Sequence, residues 1–174
     1  MRTSLAFACL PGLPLLGLAA PLAQDDARSL MMRAASISKA YDSGEVDVIV
    51  EMTHPSLYQF LGGKEKMQEA TKSAMAELRA ANVPSVKSQL RGPGEAYPAG
   101  DQLVCFCPRT TDFKVDGKKA RSTSFLICIR KAQGGTWLFL DGAILRRNPE
   151  LLPILLPELA VNVPLPENRM EILE

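Results

Sequence analysis

The sequence predicts an α+β domain in which N-terminal helices pack on an antiparallel sheet. Three observations predict it. Two strand-length runs flank Asp116-Gly117, a pair suited to a type I′ hairpin turn, where both central residues need positive φ. A second turn, Gln133-Gly134-Gly135, sends the chain back as a strand, Thr136–Asp141. Upstream of the sheet, apolar residues recur at helical spacing in Gln24–Ser43, Glu45–Met52 and Lys64–Ala81.

The first turn fixes a register. A two-residue loop sets Val115 against Lys118, so Cys105 faces Cys128 and Cys107 faces Leu126. Side chains alternate with period two, so these four share one face, while Phe106, Ile127 and Ile129 occupy the other. Both faces are apolar. A sheet with one wet face would alternate more cleanly, so both are expected to be covered.

The length of 174 residues suits one domain with a sizeable core. The formal charge of +1 supplies no basic field for nucleic acid, and no block of one charge sign occurs. Residues 1–23 read as a secretory signal peptide: Arg2 is the positive start, Leu5–Ala20 carries no charge, and Ala19, Ala20 and Ala23 offer cleavage positions around an awkward Pro21. The run is short and broken by Pro11 and Pro14, which argues against an anchor. Cys9 lacks the setting of a lipoprotein cysteine. An exported chain, periplasmic or secreted, is expected, with no stable membrane insertion once the signal is removed.

Residues 24–145 form the expected domain. Gln24–Ser43 is an amphipathic helix with Ala27, Leu30, Met31, Ala34, Ile37 and Tyr41 on one face, stopped by Gly44. Glu45–Met52 is a shorter helix, ended at Thr53-His54-Pro55 because the residue before proline avoids helical angles. Ser56–Leu61 reads as a short strand. Lys64–Ala81 is a third helix with Met67, Ala70, Thr71, Ala74, Met75 and Leu78 turned inward, closed by Asn82 and Pro84. Ser85–Arg91 alternates as a half-exposed strand, and Gly92–Gly100 reads as a turn region.

Residues 146–174 form a tail rich in proline and leucine. Prolines this frequent forbid a long helix or a central strand. So much leucine does not belong to a free disordered tail. The segment is expected to lie extended, or in short turns, over the uncovered face of the sheet, with Glu167–Glu174 as a loose end.

The segments AYDSGEVDVIVEMTHPSL at 40–57, GGKEKMQEATKSAM at 62–75 and TWLFLDG at 136–142, in this order, resemble the nuclear transport factor 2-like superfamily, which includes SnoaL-like cyclases and ketosteroid isomerases. The likeness covers roughly residues 24–145. It implies a curved sheet wrapped around the helices as a cone with a pocket, and in many members a homodimer through the outer sheet face. Carried over on Gly44-Glu45-Val46-Asp47, the isomerase tyrosine would fall near Ser38 and the catalytic aspartate near Leu61 or Gly62. None of these residues can do that chemistry.

Five residues are candidates to line a pocket: Tyr41, His54, Tyr58, Trp137 and Asp141. The aromatic ones offer an apolar body with a polar tip, and each also suits an ordinary core. His54, the one histidine, is either a general base or a structural residue in its Thr-His-Pro turn. Asp141 is either a desolvated base or the first residue of an Asp-Gly turn. Arg130 faces either an anionic ligand or solvent.

Export favours disulfides, and opposed strand positions bring β-carbons near bridging distance, so Cys105–Cys128 is a candidate bridge with Cys107 left over. The competing reading is three small buried thiols, because a hairpin gains little from a bridge across its ladder. Cys-x-Cys on a strand is not the spacing of a structural zinc site, and no metal or cofactor is expected. No nucleophile elbow, phosphate loop or zincin motif is present. The favoured reading is an exported, non-catalytic binding domain for a small apolar ligand or a protein partner. The alternatives are a SnoaL-like enzyme using Asp141 and His54 for acid–base chemistry on a hydrophobic substrate, and a structural homodimer with a filled core.

Overall fold

The computed structural model describes residues 19–80, 87–115 and 117–173. Among the described residues four helices precede the sheet: α1 (Gln24–Ser43), α2 (Val46–Met52), α3 (Pro55–Leu61) and α4 (Lys64–Ala80). Asp25 and Asp26 sit in the first turn of α1, where the helix dipole favours negative charge. Gly44 ends it with φ +71°, a left-handed cap that costs glycine little. Leu30, Ala34 and Ile37 are fully buried on its inner face, as their spacing predicts.

The segment expected as a strand at Ser56–Leu61 is instead α3. Pro55 takes the first helical position, where its missing N–H costs nothing and its fixed φ suits the helix. His54 caps it, its side chain accepting from the Ser56 N–H. The stripe expected to be buried on α4 is mostly exposed. Met67 is buried, but Ala70, Ala74 and Leu78 face outward, because α4 packs on α2 and α3. The expected helix stop at Asn82 and Pro84, together with Val86 and Asp116, lies outside the described residues.

A long hairpin carries the sheet. β3 (Gln102–Val115) and β4 (Lys118–Lys131) pair along their full length, with Val115 against Lys118, Cys105 against Cys128 and Cys107 against Leu126. β1 (Lys87–Leu90) and β2 (Ala96–Ala99) share the free edge of β3. β5 (Leu138–Asp141) and β6 (Arg169–Leu173) share the free edge of β4. The result, among the described residues, is a curved, unclosed, six-stranded antiparallel sheet with the helices on the N-terminal side. Two elements differ from expectation. β2 lies inside the supposed turn region, and the supposed loose end forms β6, whose backbone pairs with Lys119–Thr123.

Both faces are covered. Cys105, Cys107, Leu126, Cys128 and Phe139 pack with α1 and Trp137. Phe106, Phe125, Ile127, Ile129 and Leu140 pack on the other side against Leu145, Leu155, Leu156 and Leu159. The tail reaches this second face through a 3₁₀ turn (Gly142–Arg146) and a short helix, α5 (Leu151–Leu155). Pro153 falls within the first turn of α5, where a missing N–H is tolerated. The tail thus covers the apolar part of this second face.

Candidate functional site

Three regions gather polar side chains. The first is buried on the helix-facing side of the sheet. Arg109 follows Cys105 and Cys107 in the same row of β3, so it points into the core. It is 8% exposed, and Nη2 donates to Asp141 Oδ2 at 2.6 Å. The guanidinium lies 5.6 Å from the ring centre of Tyr41 on α1. Burial works against the Arg109 charge, but Asp141 more than offsets it, and the group is held above its ordinary value. Burial, then the charge of Asp141, pushes the Tyr41 hydroxyl upward. Asp141 Oδ1 also accepts from the Ala143 N–H and caps the 3₁₀ turn.

This group is committed to itself. The Asp141 carboxylate binds the Arg109 guanidinium through one oxygen and the Ala143 N–H through the other. The turn reading of Asp141 and the inward reading of its carboxylate both hold. Sequence reasoning missed Arg109, although its place two residues beyond Cys107 was the available signal.

The second region surrounds His54. Nδ1 lies 2.8 Å from Ser56 Oγ, and Nε2 lies 3.2 Å from the Gln102 side-chain amide. Burial lowers its pKa from the ordinary 6.5. Gln102 belongs to the β3 row of Val104 and Phe106, which faces the tail, whereas Asp141 faces the helices. The acid–base pair expected of an enzyme is therefore not assembled.

The other candidates lie in the helix-facing core or, for Tyr58, on α3. Trp137 is 1% exposed beneath the Arg130 guanidinium, 4.9 Å from its ring centre. Arg130 is buried and pairs with Asp26 of α1 at 2.6 Å, which ties the helix to the sheet. Tyr58 is half-buried on α3 and belongs to neither core cluster. Cys105 and Cys128 face one another as expected, but they and Cys107 are free, fully buried thiols, and the candidate bridge is absent. Burial raises Cys128 well above the ordinary thiol range. Among the described residues, no group of three or more His, Cys, Asp or Glu side chains is placed to hold a metal ion.

The third region is open. Beyond Pro108 and Phe125 the tail no longer covers the second face. There β1, β3, β4 and β6 form a trough of about 460 Å³. Its floor is built by register: Gln89, Thr110, Thr123 and Arg169 make one row, and Asp112, Arg121 and Glu171 the next. Arg121 holds Asp112 through two hydrogen bonds of 2.7 and 3.0 Å, and Arg169 pairs with Glu167 at 2.8 Å. Arg91 lines the β1 side of the trough. Acidic and basic groups alternate, so the trough has no dominant sign.

Among the described residues no helix is long and apolar enough to cross a membrane. A scan against protein-family models, a search of curated proteins and a search of solved structures each find no match.

Proposed function

We propose that this is an exported, non-catalytic binding domain of the nuclear transport factor 2-like kind, and that it holds a protein partner over the open end of its sheet. The observation that carries the reading is a contrast between the two ends of the molecule. Inside the curve, where a small apolar ligand would sit, Leu30, Ile37, Cys105, Leu126, Trp137 and Phe139 fill the space at 0–1% exposure. On the second face, the tail covers the apolar half and then moves to the sheet edge as β6, leaving a trough whose charges alternate.

A trough of mixed sign suits a segment that carries both charges, and complementary pairs at a rim set register and encounter more than raw affinity. It does not suit a polyanion, which needs a concentrated basic field. An enzyme of the SnoaL-like type would need Asp141 and His54 together, but Asp141 lies in the helix-facing row while His54 meets Gln102 of the row that faces the tail. Site-specific photo-crosslinking in the producing cell tests the proposal. A crosslinker at Thr123 in the trough should trap a protein adduct that is lost on Arg91→Glu, and one at the exposed Lys39 on α1 should not. Equal adducts at both positions, or adducts unmoved by Arg91→Glu, would overturn it.

A further inference from the structure

We infer that the chain is cut between Ala19 and Ala20, so that Ala20 opens the mature protein. This rests on the reading that the chain is exported. Two independent observations meet at that bond.

The first is chemical. Export peptidases select small residues one and three positions before the bond. Gly17-Leu18-Ala19 satisfies this. A cut after Ala20 would make the scissile nitrogen that of Pro21, a ring nitrogen with no N–H. A cut after Ala23 would put the bulky ring of Pro21 three positions before the bond. Proline thus blocks both downstream choices.

The second is the fold itself. Ala20 bridges the outer side of β2, donating to Ala96 O at 3.0 Å and accepting from Ala96 N at 2.8 Å. Leu22 packs against the cluster that holds Leu30 and Trp137. Ala23 O accepts the first hydrogen bond of α1, from Ala27 N at 2.9 Å. A cut after Ala23 would remove all three contributions, and a cut after Ala20 would break the bridge. A cut after Ala19 leaves each of them in the product. Water supplies the atoms: the C–N bond breaks, hydroxyl adds to the Ala19 carbonyl carbon, and one proton goes to the Ala20 nitrogen; the new carboxylic acid then gives its proton through solvent to that amine, leaving a carboxylate and an ammonium. The new ammonium keeps a proton for Ala96 O, which turns that hydrogen bond into a charge-assisted one.

The test is intact mass and N-terminal peptide mapping of the full chain, produced with its leader in a secreting host and recovered from the exported fraction. The expected product spans residues 20–174. Ala19→Arg should abolish processing and leave the precursor. Ala23→Arg, at an exposed position, should leave the cut unchanged. An exported product starting at Pro21 or Gln24 would overturn the inference while leaving export intact. A chain that keeps Met1 and stays in the cytosol would overturn both.

Discussion

Arg109 Nη2 and Asp141 Oδ2 lie 2.6 Å apart, 32 residues distant in sequence, on the helix-facing side of the sheet. The pair joins β3 to the end of β5 across β4 and sits against Tyr41. Removing one partner of a buried pair leaves an uncompensated charge, which costs about 3–5 kcal/mol. Asp141→Asn keeps an acceptor for the Ala143 N–H and isolates that effect. The expected result is a loss of this size in urea unfolding. Adding Arg109→Met should recover part of it, as a double-mutant cycle would show.

Acid should weaken the fold through His54. Burial lowers its folded pKa below 6.5, so the folded state favours the neutral ring while the unfolded chain binds the proton. The contribution is fully present above 6.5 and is lost as pH falls through the folded value. A melting-temperature profile from about pH 8 to about pH 5 should therefore decline on its acid side. In His54→Gln the decline should be shallower.

The three thiols should stay reduced after export. Their side chains are fully buried, and Cys128 is held protonated by burial, while the thiolate is the reactive form. Alkylation of the native exported protein should label none of Cys105, Cys107 and Cys128. Alkylation after denaturation without reductant should label all three.

Gly142, the first residue of the 3₁₀ turn, lies tight against Phe125 of β4. A Cβ there would meet the Phe125 ring at 2.5 Å and its carbonyl oxygen at 2.7 Å. Overpacking of a filled core costs about 1–3 kcal/mol. Gly142→Ala should lose at least that in thermal or urea unfolding.

The tail is part of the core. Leu155, Leu156 and Leu159 are each under 8% exposed, and burying a leucine contributes about 1.5–3 kcal/mol. Together they approach the whole stability of an ordinary domain, about 5–15 kcal/mol. A chain ending at Arg147 should fail to give a cooperative unfolding transition.

These features differ in how far the sequence shows them. The register of Cys105 against Cys128 follows from a two-residue turn and a period of two, and the tail's place follows from leucines that need a surface. β6 was hidden because RMEIL is short and terminal, and only its partner, residues 119–123, makes it a strand. α3 was hidden because His54-Pro55 ends one helix and starts another. On α4, periodicity defines an apolar face without saying whether anything covers it, and Leu78 is left 48% exposed. The site fared worse than the fold. The pairing of Arg109 with Asp141 depends on the partner strand β4, and the trough depends on β6.

Native mass spectrometry of the protein recovered from the exported fraction tests the central claim most directly. A filled interior predicts the mass of the processed polypeptide with no small molecule attached. A retained apolar compound, released on collisional activation, would mean that the interior opens to hold a ligand and would contradict the account.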